Sequence, residues 1–290
     1  FCRPYFTRGM NLPLTFSCAS DLRKFLEAER ISGKGIGFVP TMGALHEGHL
    51  DLVRRAAEEN DRVVVSIFVN PTQFNNSTDL EKYPRTLDKD LQLLADLPKV
   101  IVFHPTKDEV YPEDDKFQPI DLNGLDEVME GTARPGHFQG VVHVVYNLFQ
   151  IVQPDKAYFG LKDYQQLAII KWMVNKLNLR VSIVECETRR ESSGLALSSR
   201  NLRLSEKEKE DSIIIHTTLK HLQTVYNNLS PSEAKHAAIS FFNRGKLELE
   251  YLEIVDPVTL KEVVSWKDGA VCCIAAYCGE VRLIDNMIIC

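Results

Sequence analysis

Between residues 36 and 184, short runs of branched apolar residues alternate with longer stretches whose apolar residues recur every three or four positions. A strand buried on both faces needs no polar alternation, so each short run reads as a strand of a parallel sheet. The three-to-four period reads as a helix with one apolar face. Strands are expected at 36–40, 62–69, 100–103, 157–159 and 181–184, and helices at 48–59, 87–97, 141–152 and 164–177. Strand–helix alternation of this length constrains the fold to α/β, a parallel sheet with helices on both faces. Ligands of such sheets sit beyond the carboxyl ends of the strands, near the point where strand order reverses. Thr41, Asn70 and Gly160 each follow a strand directly.

The pattern changes after Arg203. Ser205 with Glu208 three residues on predicts a capping box, and Ser230-Pro231 predicts a second helix start. Helices are expected at 206–228 and 231–244, then strands near 248–255, 270–278 and 281–284, a smaller α+β unit. The expected domains are 10–187 and 188–290, with residues 1–9 an unstructured leader before Met10. A net charge of −6 lacks the basic excess of a nucleic-acid surface, so phosphate binding must come from local groups. No apolar run approaches the roughly 18 residues a membrane span needs. The 7 cysteines form no C-x-x-C pair and have no histidine at ligand spacing, which points to reduced thiols in a cytoplasmic protein rather than to zinc.

The polar chemistry concentrates in short segments. PTMGALHEGH at 40–49 crosses a strand-to-helix turn. His46 and His49 can point both imidazoles at one spot, and Gly48 removes a side chain where a ligand must come close. The open N–H groups of a helix start favour an anion, and imidazole donors bind more strongly as charge builds on a phosphate. The plainer alternative is two polar residues in a turn. In FVNPTQF at 68–74, Asn70 and Gln73 offer donors and acceptors together, which suits a small hydroxy acid; the alternative is a polar loop. In RPGHF at 134–138, Arg134 is either an anion contact or a surface arginine.

In FGLKDYQQ at 159–166, Gly160 lets a nucleotide approach the backbone and Lys162 brings a point charge to phosphate. Gln166 is expected to share a helix face with Lys162. A solvated Lys–Asp pair is the alternative. In LSSRN at 197–201, two hydroxyls and a guanidinium make a phosphate clamp, and the position near the domain boundary predicts a lid that excludes water. The chain has no G-x-x-x-x-G-K-[ST] loop, which argues against a P-loop kinase, and no Cys–His or G-x-S-x-G nucleophile.

At these segments, and at YPRT (83–86), RPGHFQGV (134–141), QPDKAYFGLKDYQQL (153–167) and LALSSRN (195–201), the sequence resembles the pantothenate synthetase family from about Leu14 to Ile284. The resemblance implies a Rossmann-like nucleotidyl-transferase domain followed by a small C-terminal lid domain. It implies a ligase that forms pantoyl adenylate from pantoate and ATP with Mg2+, then passes the acyl group to β-alanine. It also implies a homodimer. By the same resemblance, Met42, Gly43, Ala44, Leu45, His46, Glu47, Gly48 and His49 line the ATP site, His49 as proton donor. Gly160, Leu161, Lys162, Asp163, Arg189, Leu197, Ser198, Ser199 and Arg200 contact ATP, with Lys162 and Arg200 stabilising charge. Gln73 binds pantoate and sits near β-alanine, Gln166 binds pantoate, and Asn70 supports the pocket. Asp90 is the candidate Mg2+ ligand, with Lys89 where a second acid can occur. Leu161 stands where the family usually has Glu, and Arg189 at a usually apolar adenine-contacting position.

Other readings share parts of this pattern. A nucleotidylyltransferase acting on a phosphorylated acceptor calls for a basic acceptor pocket, whereas Gln73, Gln166 and Met42 form a less charged one. A class I aminoacyl-tRNA synthetase needs a basic tRNA-binding domain. A nucleotide-binding regulator without catalysis has no use for the full set of His46, His49, Lys162 and Arg200.

Overall fold

The computed structural model describes residues 12–74, 77–266 and 269–290; the expected leader at 1–9 lies outside them. Two compact units emerge. One takes the chain up to Leu122, Arg134–Gly160 and Ile169–Cys186; the other takes Asn123–Ala133, Leu161–Ala168 and Glu187–Cys290.

In chain order the elements are β1 (Leu14–Phe16), α1 (Ala19–Ile31), β2 (Ile36–Thr41), α2 (Glu47–Glu59), β3 (Arg62–Ile67), α3 (Ser77–Lys82), α4 (Leu87–Leu94), β4 (Val100–Phe103) and α5 (Lys107–Val110). Then come α6 (Glu130–Ala133), α7 (His137–Val152), β5 (Lys156–Gly160), α8 (Tyr164–Lys176) and β6 (Ser182–Cys186). The chain ends with α9 (Glu206–Val225), α10 (Pro231–Phe242), β7 (Glu248–Val255), β8 (Val271–Cys278) and β9 (Val281–Ile288). Short stretches of 3-10 helix lie at Pro71–Gln73, Leu161–Asp163, Ser199–Arg203 and Tyr226–Asn228.

The first unit is built on a parallel six-stranded sheet of order β1-β4-β3-β2-β5-β6. Val63, Val64 and Val65 of β3 are all fully buried, which explains an unbroken branched run without polar alternation. Strand order reverses between β2, which pairs with β3 through Ile36↔Arg62, and β5, which pairs with β2 through Gly37↔Lys156. The carboxyl ends of β2 and β5 are Thr41 and Gly160, so the histidine turn and Gly160 both leave the sheet at the switch point.

The structure adds β1 and α1, which the alternation did not predict. A three-residue edge strand has no periodicity to read, but Ala19, Leu22 and Leu26 are buried at helical spacing. Helix α4 stops at Leu94 rather than 97, because Pro98 disfavours the α conformation at Leu97. Helix α7 begins earlier than the valine run implied, at His137, directly after Gly136 with φ +79°. It carries Gly140 against the 71–73 turn, where a Cβ would lie 2.5 Å from the Thr72 oxygen.

The second unit packs α9 and α10 on the antiparallel sheet β7-β8-β9, around Leu219, Leu222, Phe242, Cys272 and Ile274. Both helices start with capping boxes. Ser205 Oγ accepts the Glu208 N–H at 3.3 Å while Glu208 accepts the Ser205 N–H at 2.8 Å, and Ser230 with Glu233 repeats the arrangement. Cys272, Cys273 and Cys278 are buried free thiols of β8, and burial raises each above the usual thiol range. The segment Asn123–Ala133 joins this unit through Glu130, whose carboxylate takes two bonds from Arg282 at 2.6 and 2.8 Å and one from the Tyr251 hydroxyl at 2.7 Å. Strand β9 runs on to Ile288, beyond the expected 284, because Asp285 and Asn286 interrupt the apolar pattern yet are buried and hydrogen-bonded.

Candidate active site

The turn after β2 is shaped by two successive left-handed residues, Gly43 at φ +78° and Ala44 at φ +49°. Gly43 is needed for the conformation and for space: a Cβ there would lie 3.0 Å from Ile67 Cγ2 and 3.1 Å from Asp90 Oδ2. The Ala44 and Leu45 N–H groups donate to the Asp90 carboxylate at 2.9 and 2.8 Å. Asp90, the expected metal ligand, is 1% exposed and accepts hydrogen bonds from the main chain of the histidine turn. Among the described residues, no three of His, Cys, Asp and Glu converge in a way that could hold a metal ion.

His46 is the N-cap of α2, and His49 is its third residue. The His46 N–H donates to His49 Nδ1 at 3.3 Å, and the two half-buried rings lie 4.0 Å apart between centroids. Two imidazoles therefore stand together at the positive end of α2. Glu47 is exposed and pairs with Arg54 at 3.0 Å.

Asn70 and Gln73, both buried, form a second group in the same unit. Asn70 Oδ1 accepts the Tyr111 hydroxyl at 2.8 Å and the Thr72 hydroxyl at 3.0 Å, while its Nδ2 donates to Gln73 Oε1 at 3.2 Å and Gly140 O at 3.3 Å. Gln73 Nε2 reaches Met42 Sδ at 2.8 Å, which joins this turn to the histidine turn. The Gln73 carbonyl accepts from the His137 ring at 2.7 Å and from Arg134 Nη2 at 3.3 Å. Arg134, expected to meet an anion, thus holds the Gln73 main chain. Desolvation and nearby Asp115 raise the Tyr111 hydroxyl, on balance, to about 12, so it stays a neutral donor. Beside Met42 and Gly43, a cavity of about 280 Å³ opens at the carboxyl ends of β2, β3 and β4, reaching Phe68, Thr86 and His104. Burial lowers the His104 imidazole below its usual range, which favours the neutral ring.

The second unit carries the remaining candidates. Leu161–Asp163 is a 3-10 turn and α8 starts only at Tyr164, so Lys162 and Gln166 do not share one α-helical face as expected. Lys162 Nζ lies 3.8 Å from Asp163 Oδ1. Asn286 Nδ2 donates to the Leu161 and Lys162 carbonyls at 2.8 and 2.7 Å, which fixes the turn. The Leu161 carbonyl is one of the two that Asn286 holds, at the position where the family usually has Glu. Gln165, next to Gln166, is spent on structure: it binds the Leu125 and Val128 carbonyls and the Glu130 N–H.

Residues 189–197 form a short hairpin in which Leu197 N–H donates to the Arg189 carbonyl at 2.9 Å. The Arg189 side chain is exposed. Arg190 anchors the hairpin to Asp285 with bonds of 2.6 and 2.9 Å. The hairpin leads into Ser198, which caps the 3-10 turn by accepting the Arg200 N–H at 3.2 Å; Ser199 is buried and Arg200 half-buried. Two adjacent residues of β9, Asp285 and Asn286, therefore hold both groups. Sequence reasoning quoted Thr86, His137 and Gln165 inside motifs without giving them a role, and missed Tyr111, Asp285 and Asn286, whose partners lie far away in the chain. The one available signal was an isolated Asp-Asn pair inside the apolar run 283–289.

Comparison with known proteins agrees with this architecture. The family model described as pantoate-beta-alanine ligase matches residues 15–288. A pantothenate synthetase from Bacteroides thetaiotaomicron is 51% identical over 270 residues, covering 92% of this chain and 95% of the relative. The crystal structure of the Thermus thermophilus pantothenate synthetase is 43% identical and superposes with a TM-score of 0.88, covering 95% of this chain and 99% of that one. A Francisella tularensis pantoate-beta-alanine ligase, solved in complex with beta-gamma ATP and beta-alanine, is 37% identical with a TM-score of 0.77, covering 95% of this chain and 97% of that one. Fold, ordered motifs and near-complete coverage agree: the chain belongs to the pantoate–β-alanine ligase family.

Proposed function

We propose that this protein condenses pantoate with β-alanine at the expense of ATP, releasing AMP and pyrophosphate, as a step of pantothenate and coenzyme A biosynthesis. The observation that carries the reading is the join between Met42 and Gln73. It sets a neutral amide next to a helix start that favours anions and bears two imidazoles.

In the first step a pantoate carboxylate oxygen attacks the α-phosphorus of ATP, the bond to the bridging oxygen breaks, and pyrophosphate leaves. In the second the β-alanine amine attacks the acyl carbon, the acyl–oxygen bond breaks, AMP leaves, and the amine gives up a proton as the amide forms. The protein contributes positioning and charge stabilisation. Residues Met42 to His49 take ATP at the α2 start, His46 and His49 donating to phosphate oxygens. Gly160, Lys162, Asp163, Leu197, Ser198, Ser199 and Arg200 also contact ATP, Lys162 and Arg200 countering the charge that develops. Leu161 and Arg189 contribute main-chain groups. Gln73 and Gln166 bind pantoate as neutral amides, with Asn70 and Arg134 fixing Gln73. Mg2+ would accompany ATP as the counter-ion of its phosphates and would supply charge neutralisation there. The active form is a homodimer, which light scattering tests.

Pyrophosphate and AMP are measured with pantoate and ATP, with and without β-alanine. AMP turnover that requires both organic substrates is expected. Pyrophosphate release only with an unrelated phosphorylated acceptor would reject the reading.

A further inference from the structure

Asp90, 1% exposed at the wall of the cavity beside Met42 and Gly43, directs both carboxylate oxygens at the histidine turn. Its Oδ2 accepts the Ala44 N–H at 2.9 Å and its Oδ1 the Leu45 N–H at 2.8 Å, with the Thr86 hydroxyl adding a third bond to Oδ1 at 3.1 Å. The two N–H groups face one way because Gly43 and Ala44 both take positive φ, and such successive N–H groups make an anion-binding concavity. Alanine carries a steric penalty in that conformation, which charge-assisted hydrogen bonds from a buried carboxylate offset.

We propose that Asp90 is a positioning residue for the adenylation step: as a built-in anion it clamps the 43–45 turn and so sets where α2 begins and where His46 and His49 stand. The inference rests on the function proposed above and deepens it. Asp90 acts through the turn and touches no reacting atom. The arrangement suits a clamp better than a metal ligand, since Mg2+ demands near-ideal octahedral geometry and these carboxylate oxygens are already committed to the protein.

The variant Asp90→Asn keeps the shape but turns an NH2 group toward one N–H donor. AMP formation by the full-length protein is followed at saturating pantoate and β-alanine, varying ATP, with Mg2+ raised from equimolar with ATP to large excess, and with Mn2+ substituted. We expect kcat to fall about 10-fold or more, KM for ATP to change less, and the deficit to be the same at every metal concentration. Amide exchange, measured without substrates, is expected to speed up at Ala44 and Leu45 while the β3 amides stay unchanged. A deficit that excess Mg2+ or Mn2+ removes would make Asp90 a metal ligand and overturn the proposal, as would an unchanged kcat. Should Asp90→Asn fail to fold, Thr86→Val removes only the third bond: a metal-independent drop in kcat with faster exchange at Leu45 supports the clamp, and unchanged values overturn it. A wild-type protein that forms no AMP from these substrates would sink the function assignment instead; the exchange comparison then decides the clamp by itself.

Discussion

Because His49 Nδ1 accepts the His46 main-chain N–H, a neutral His49 carries its proton on Nε2 and serves as a donor. Lys162 is held just as indirectly, by a turn whose carbonyls are tied to Asn286. Side chains placed this way contribute most where charge develops, so His49→Ala and Lys162→Ala are each expected to slow adenylation by about 10²-fold or more. Single-turnover quenched-flow measurement checks this, and near-normal rates in either variant contradict the roles given to them. Away from the site, Glu59 accepts bonds of 3.0 Å from Lys156, Arg55 and Tyr158. Hydrogen bonding from Lys156 foremost, then from Arg55, pulls its carboxyl from 4.5 down to about 2. The folded state thus favours the carboxylate more than the unfolded chain does. Its contribution to stability is fully present above 4.5, shrinks as pH falls from there, and is gone below about 2. The melting-temperature gap between wild type and Glu59→Gln should therefore be wider at neutral pH than near pH 3; an equal gap at both contradicts the linkage.

Strand β9 shows why the fold was more legible than the site. Branched runs and helical periods record burial directly, so β2 to β6, α2, α7, α8 and the capped α9 and α10 could be read from the sequence, with ends shifted by a few residues. The motif glycines and histidines were also visible, because a turn at a strand end leaves a local signature. What could not be read was which distant polar side chain holds each turn. Asp285 and Asn286 looked like the end of a strand, yet they are buried and anchor Arg190 and the Lys162 turn. The N–H partners of Asp90 likewise lie in another element, so its bonds to the histidine turn left no local trace. Gln165 and Gln166 are equivalent in sequence, and only the fold commits Gln165 to the segment Asn123–Ala133. Asn286→Leu keeps a similar size but leaves the Leu161 and Lys162 carbonyls without that donor. It should lower unfolding free energy by about 1–3 kcal/mol and reduce kcat more than it raises KM for ATP. Urea titration and steady-state kinetics test this, and wild-type values for both would show that β9 does not govern the turn.

Across the whole chain, a net charge of −6 offers no general attraction for a polyanion, so the proposed ATP binding depends on local groups such as the α2 start and its two imidazoles. Among the described residues no helix is long and apolar enough to cross a membrane. The proposed carboxylate adenylation is a bond-specific statement that isotopes can trace. Pantoate labelled with 18O in its carboxylate is incubated with the protein, unlabelled ATP, Mg2+ and β-alanine, and the AMP is examined by mass spectrometry. Transfer of one carboxylate oxygen into each AMP is expected, because the oxygen that attacks the α-phosphorus leaves with it. Unlabelled AMP, or label appearing in inorganic phosphate with ADP as co-product, would contradict adenylation.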